Sequence, residues 1–206
     1  MRGVKMTFEA FHEAVREILE GIAEAVRGLD PSQVGWVIEA LLQARSEGRK
    51  ILVVGAGRSG LVGKAFAMRL MHLGFNTYVL GETITPAIGD RDLVFVISGS
   101  GSSTLPLTVA KMAKNIGAKV LAVTSHPTSP LAMTADLVVE VPGRVMRSRE
   151  DEYHSRQLLG DHEPLAPMGT IFEDSCMVFL DCLIAELIAR MGVSEEAMKS
   201  KHATIE

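Results

Sequence analysis

The sequence predicts an α/β protein with a doubly wound, five-stranded parallel sheet flanked by helices. Two observations carry this prediction. From residue 50 onward, short β-branched runs alternate with segments of helical periodicity, which is the pattern of repeated strand–helix units. The runs are also largely apolar, as expected for strands that helices cover on both faces of the sheet. The predicted strands are residues 51–54, 76–80, 93–97, 120–124 and 137–141.

Helical periodicity predicts six helices, and two of them precede the first strand. Asp30 and Pro31 mark the start of the second helix, because Asp is a favoured N-cap and Pro is accepted at the first helical position. These two helices need a surface to pack on, and either the sheet or another subunit would serve. The last helix is apolar on nearly every face, so we expect it to be buried on two sides, as at an oligomer interface. The predicted helices are residues 7–27, a segment that begins at residue 31, and residues 59–73, 104–116, 128–134 and 171–191.

The chain of 206 residues has the length of one domain with a substantial core. We expect N-terminal helices over residues 1–48, the sheet core over residues 49–142, and a C-terminal helix and tail over residues 168–206. Residues 143–167 interrupt the alternation with a charged, loop-like insert. This insert is either a lid over a site or a solvated excursion of the chain.

Composition excludes several classes of protein. Hydrophobic residues make up 47% and charged residues 22%, with a net charge of −4, which is typical of a globular protein and argues against a nucleic-acid surface. The N-terminus lacks the apolar core of a signal peptide, and four acidic residues interrupt the last helix, so we expect neither secretion nor a membrane span. Cys176 and Cys182 lack metal-ligand spacing and are expected to be reduced, buried thiols in a cytoplasmic protein.

Residues 98–104, here called the serine loop, predict an anion site. Two glycines and five hydroxyl side chains follow the predicted strand 93–97 and precede a helix. A glycine-rich turn that opens a helix presents free backbone N–H groups and the positive end of the helix dipole, and both favour a phosphate. The hydroxyls complete this cradle without Lys or Arg, so we predict a sugar-phosphate site.

Residues 55–60, here called the glycine loop, have a second possible role in phosphate binding. Their sequence matches G-x-G-x-x-G between a strand and a helix, which is the dinucleotide-binding fingerprint. Glu82 follows the second strand, where such a fold places an acidic residue. A dinucleotide fold does not require the serine loop, however, and two cradles in one sheet suit a small phosphorylated ligand held between them. The P-loop motif is G-x-x-x-x-G-K-[ST], and Arg58 stands where its first glycine would be. That motif is therefore excluded.

Glu173 allows two interpretations. Thr170 and Glu173 have the spacing of a capping box, in which the Glu side chain reaches back to the N-cap amide. Alternatively, a carboxylate in the first turn of a buried helix near the ligand edge is a general base, although spacing alone favours the cap. His126 follows the fourth strand and can approach a ligand. The histidines have no zinc-type spacing, so no metal site is predicted.

The glycine loop and residues 98–101 together resemble the sugar isomerase (SIS) domain family, whose members bind phosphosugars. More narrowly, the chain is similar to the 6-phospho-3-hexuloisomerases of the ribulose monophosphate pathway. The resemblance rests on residues 55–70, 81–86, 97–101, 167–173 and 201–206. Two departures are Ser102–Ser103, where the family usually has a polar residue and Thr, and an insert that is longer than the usual link.

The resemblance implies a single SIS domain with flavodoxin-like strand order and a definite chemistry. It implies interconversion of 3-hexulose 6-phosphate and fructose 6-phosphate through a cis-enediol, without metal or redox cofactor, in a homotetramer with sites at subunit interfaces. Isomerisation of a related phosphosugar and a non-catalytic sugar-phosphate-binding module remain as alternatives. Glu173 becomes the base, and His202, donated by a neighbouring subunit, an acid or hydroxyl ligand. The implied substrate-binding residues are Ser59, Ser98, Gly99, Ser100, Gly101, Ser102 and Ser103.

Overall fold

A computed structural model describes residues 8–143, 166 and 169–193. The expected insert and tail, with His202, therefore lie almost wholly outside the described residues. The helices among the described residues are α1 (Glu9–Arg27), α2 (Pro31–Ser46), α3 (Gly57–His72), α4 (Thr104–Ile116), α5 (Pro130–Thr134) and α6 (Thr170–Met191). The strands are β1 (Lys50–Gly55), β2 (Asn76–Val79), β3 (Leu93–Ile97), β4 (Lys119–Thr124) and β5 (Leu137–Glu140).

The five strands form one parallel sheet in the order β2-β1-β3-β4-β5. This confirms the predicted doubly wound sheet and its flavodoxin-like order. The order reverses between β1 and β3, and Gly55 of β1 lies beside Ile97 of β3, which in turn lies beside Val123 of β4. The carboxyl ends of these three strands therefore meet at one edge, where ligands of such sheets bind.

Alternate residues of each strand face two apolar layers, because side chains along a strand point to opposite faces. Val53, Phe95 and Ile97 pack with the helices α2, α3 and α6 on one face. Val54 and Val96 pack with α4 and α5 on the other. Every residue of β3 is buried, so this central strand anchors the loop that follows it.

Local signals placed the helix boundaries within a few residues. The N-cap predicted for α2 is confirmed, since Asp30 Oδ1 accepts a hydrogen bond of 2.7 Å from the amide of Ser32. Helix α5 begins at Pro130, two residues later than predicted, because Ser129 serves as its N-cap and accepts from the amide of Ala132. Such side-chain caps satisfy amides that have no partner inside the helix.

Helix α6 supplies ten buried residues and packs against α1, α2 and α3. Helix α1 lies on α6, where a Cβ on Gly21 would come within 2.8 Å of the Ile171 side chain. Cys176 is buried as expected, and this burial raises the pKa of its thiol. The expectation for Cys182 is wrong because it is exposed. The two cysteines are six residues apart in the helix, which places their side chains about 120° apart around its axis. One buried face therefore cannot hold both thiols. No helix among the described residues is long and apolar enough to cross a bilayer.

Candidate active site

The glycine loop joins β1 to α3 by a close backbone approach. A Cβ on Gly55 would lie 2.7 Å from the carbonyl oxygen of Ser59, so no larger residue fits there without a shift. Gly57 has a φ of +57°, which is a left-handed conformation that favours glycine. This turn places Arg58 and Ser59 in the first turn of α3, with Ser59 only 8% exposed and the Arg58 side chain 57% exposed.

The serine loop begins in the core and ends in solvent. Ser98 is buried, and its amide donates to the carbonyl of Val123 at 3.0 Å. The hydroxyls of Ser102 and Ser103 lie 3.2 and 3.5 Å from the Ser100 hydroxyl, and all three residues are exposed. These hydroxyls gather beside the N-terminus of α4, which is the arrangement expected of an anion cradle.

The amides of the serine loop divide into two groups. The Gly101 amide donates to the Ser98 carbonyl at 3.1 Å, and the Ser102 amide to the Ser100 hydroxyl at 3.3 Å. Within the described part of the chain, the amides of Ser100 and Ser103 have no hydrogen-bond partner. The first group shapes the loop, and the second is available to an anion.

The end of β4 and the segment after it brace the serine loop from behind. The Gly99 carbonyl accepts from the Thr124 hydroxyl at 3.0 Å and from the Ser125 hydroxyl at 2.8 Å, and His126 Nδ1 lies 3.0 Å from the same oxygen. His126 thus reaches the ligand edge, as its position after the fourth strand indicated. Thr124 and Ser125 were missed by sequence reasoning, although their hydroxyls directly at a strand end were a usable signal.

Glu173 is held by an ion pair rather than by a capping box. The N-cap of α6 is Gly169, with a φ of +88°, and no side chain caps the helix. Thr170 is therefore the first helical residue, and the capping-box interpretation is wrong. Glu173 Oε2 instead lies 2.5 Å from Nε of Arg58, whose Nη2 lies 3.3 Å from Asp174 Oδ1.

The ion pair engages one carboxylate oxygen of Glu173. The hydrogen bond from Arg58 to Glu173 raises the pKa of the Arg58 guanidinium. The Oε1 atom has no hydrogen-bond partner among the residues that the structure describes. A Cβ on Gly169 would lie 3.1 Å from that oxygen, so the glycine leaves it uncrowded. The Glu173 side chain is 13% exposed, and it is a mostly enclosed carboxylate with one oxygen able to accept a proton.

Phe172 brings the start of α6 against the serine loop. A Cβ on Gly99 would lie 2.9 Å from the Phe172 ring, so the glycine permits this contact. The structure thereby assembles the glycine loop, the serine loop and Glu173 at one edge of the sheet. Glu82, by contrast, pairs with Lys64 at 2.7 Å. The described residues contain no group of His, Cys, Asp and Glu able to hold a metal ion.

The sheet order and the two loops define an SIS domain protein. The SIS domain model matches residues 45–145, which contain the sheet and both loops. Several relatives extend the similarity to the whole chain, including its last helix. The 3-hexulose-6-phosphate isomerase of Bacillus subtilis is 34% identical over 194 residues, which cover 94% of this chain and 98% of that protein. The chain belongs to the 3-hexulose-6-phosphate isomerase family and is an isomerase.

Two further relatives span the chain at similar or higher identity. An uncharacterised protein of Aeropyrum pernix is 51% identical over 206 residues, which cover 100% of this chain and 97% of that protein. A crystal structure of a Methanococcus jannaschii protein, from which a function as 3-hexulose-6-phosphate isomerase was inferred, has a TM-score of 0.72 at 33% identity. The match covers 97% of this chain and 100% of the other.

Proposed function

We propose that the protein interconverts 3-hexulose 6-phosphate and fructose 6-phosphate through a cis-enediol, in the ribulose monophosphate pathway. The observation that carries this proposal is a Glu173 oxygen that no described residue occupies, in the same site as a hydroxyl-lined cradle for an anion. A phosphosugar isomerase needs these two parts together, one to grip the phosphate and one to move a proton. Family membership supports the choice of this reaction among those that phosphosugars undergo.

The proposed chemistry is a proton transfer between adjacent carbons. Glu173 takes the proton from C2 of 3-hexulose 6-phosphate, whose carbonyl is at C3, and electrons move to give a 2,3-enediol. Return of the proton at C3, with transfer of a hydroxyl proton from O2 to O3, yields fructose 6-phosphate. One carboxylate serves both carbons because they are neighbours and the enediol is planar. His202 is proposed to assist at the oxygens as an acid or hydroxyl ligand.

The serine loop is proposed to hold the phosphate and so to fix C2 and C3 near Glu173. The ligands are the hydroxyls of Ser98, Ser100 and Ser103 and those loop amides that have no partner among the described residues, with Ser59 binding substrate from the glycine loop. The exposed hydroxyls of Ser100 and Ser103 and their unpartnered amides support this assignment most directly. Gly99, Gly101 and Ser102 complete the loop.

The whole chain is proposed to act as one cytoplasmic SIS domain in a homotetramer with active sites at subunit interfaces. Support for association comes from the start of helix α1, where Phe8, the residue before the helix, shares one stripe with Phe11 and Leu19, and each is more than half exposed. Apolar groups exposed together in this way are typical of protein–protein contact surfaces. The proposal also allows a neighbouring subunit to supply His202.

Solvent exchange tests the proposed reaction. Incubation of the enzyme with fructose 6-phosphate in deuterated water is expected to place deuterium at C3, because the abstracted proton exchanges with solvent in the enediol state. Mass spectrometry and NMR of the recovered sugar measure the label and its position. Binding of fructose 6-phosphate without any carbon-bound deuterium would instead indicate a non-catalytic sugar-phosphate module. Fructose 6-phosphate incubated without enzyme is the control.

Ser100→Ala tests the phosphate cradle. Loss of one hydroxyl that binds a charged phosphate is expected to raise KM for fructose 6-phosphate about 10–100-fold, from about 1.5–3 kcal/mol of binding free energy. Steady-state kinetics measure the change. Thr108→Ala removes an exposed hydroxyl farther along α4 and is expected to leave KM as it is. An unaltered KM in Ser100→Ala would remove Ser100 from the cradle.

A further inference from the structure

We propose that Arg58 is a positioning residue for the proton transfer: it holds Glu173 so that only Oε1 faces the substrate. This inference rests on the proposed function, since it assumes that Glu173 moves the proton. The residue lies in the glycine loop, whose sequence motif points to phosphate binding. The structure instead directs its guanidinium toward the two carboxylates at the start of α6.

The contact geometry favours positioning over simple charge pairing. Arg58 Nε lies 2.5 Å from Glu173 Oε2, and Nη2 lies 3.3 Å from Asp174 Oδ1. One planar guanidinium thus contacts two consecutive carboxylates and restricts rotation of the Glu173 side chain. A lysine ammonium is a point charge without this fork and cannot reproduce both contacts with the same orientation.

Burial shows which partner is being positioned. The Arg58 side chain is 57% exposed and Asp174 is 39% exposed, whereas Glu173 is 13% exposed. The inner member of the trio is therefore the carboxylate proposed as the base, and its two partners lie toward solvent. Because the Arg58 side chain reaches solvent, screening limits what the pair adds to stability, and its main consequence is the orientation of Glu173.

The surroundings of Glu173 make its orientation consequential. Oε2 is occupied by Arg58, while Oε1 lies beside Gly169, where a side chain would crowd it. Without Arg58, rotation about the side-chain bonds of Glu173 would move both carboxylate oxygens away from the sugar. Misplacement of a reacting group by about 1 Å can cost about 100-fold in rate, so loss of Arg58 should affect turnover more than binding.

Arg58→Gln and Arg58→Lys test the inference by separating kcat from KM. We expect Arg58→Gln to lower kcat about 100-fold, with KM for fructose 6-phosphate within about threefold of the wild type. The kcat of Arg58→Lys should be about tenfold higher than that of Arg58→Gln, because lysine keeps the positive charge but lacks the two-pronged guanidinium. Asp174→Ala removes the second contact and should lower kcat by only about threefold. Circular dichroism and thermal unfolding check that each variant is folded.

Arg190→Gln is the matched control. Arg190 also pairs with two carboxylates, Glu186 at 2.7 Å and Glu39 at 3.0 Å, and its side chain is 43% exposed. It lies on α6 about 25 Å along the axis from Glu173. We expect the kcat and KM of Arg190→Gln to equal those of the wild type.

The outcomes distinguish this inference from the proposed function. A large rise in KM with unchanged kcat in Arg58→Gln would make Arg58 a substrate ligand and overturn the positioning role. Unchanged kcat and KM would overturn it as well. If the wild type shows solvent exchange that Glu173→Gln abolishes, the proposed function stands whatever Arg58→Gln does. If the wild type shows no exchange, the proposed function and the role of Arg58 fail together.

Discussion

Glu173→Gln is expected to lower kcat about 10²–10⁴-fold, because an amide cannot accept the carbon-bound proton that a general base must take. The amide is close in shape to the carboxylate, and its oxygen can still accept a hydrogen bond from Arg58. The fold and the serine loop should therefore persist, with KM for fructose 6-phosphate nearly unchanged. Turnover measurements and the deuterium label at C3 should fall together.

Glu186→Gln is the matched control for this variant. Glu186 lies on the same helix and also pairs with an arginine, Arg190, at 2.7 Å. Its neutralisation should leave turnover as it is in the wild type. Near-normal turnover in Glu173→Gln would contradict the role as base and reduce Glu173 to a structural partner of Arg58.

Gly101→Ala is expected to destabilise the protein and to disrupt the phosphate cradle. A Cβ at this position would lie 2.0 Å from the hydroxyl oxygen of Ser129, and the φ of Gly101 is +59°. Overpacking of about 1–3 kcal/mol and left-handed backbone strain of about 1–2 kcal/mol together lower the free energy of unfolding by about 3 kcal/mol. Thermal unfolding should show a midpoint lower by about 6–12 °C, and KM should rise at least about tenfold because the loop must move.

Gly48→Ala separates the two contributions. Gly48 has a similar φ of +64°, but a Cβ there meets nothing within 4 Å. This variant should lose only the backbone contribution, about 1–2 kcal/mol, with wild-type kinetics. Equal destabilisation by the two substitutions would show that contact with Ser129 does not constrain the serine loop.

Most of the fold was predictable because its signals are local. Apolar β-branched runs form the strands, and the Asp30–Pro31 pair begins α2 as expected. The errors arose where a helix end or face depends on its neighbours. The Thr170–Glu173 spacing suited a cap, but Gly169 takes that position and Arg58 takes the carboxylate. Exposure of Cys182 follows from which face of α6 meets the other helices.

The sequence by itself determined the doubly wound sheet and predicted an anion site at the serine loop, because both depend on residues adjacent in the chain. Only the tertiary structure decided how Glu173 is held, since its partner Arg58 is 115 residues away. The bracing of Gly99 by Thr124 and Ser125 also required the register of β3 against β4. Contacts between distant residues arise where parallel strands align their carboxyl ends, and no local pattern encodes their distances.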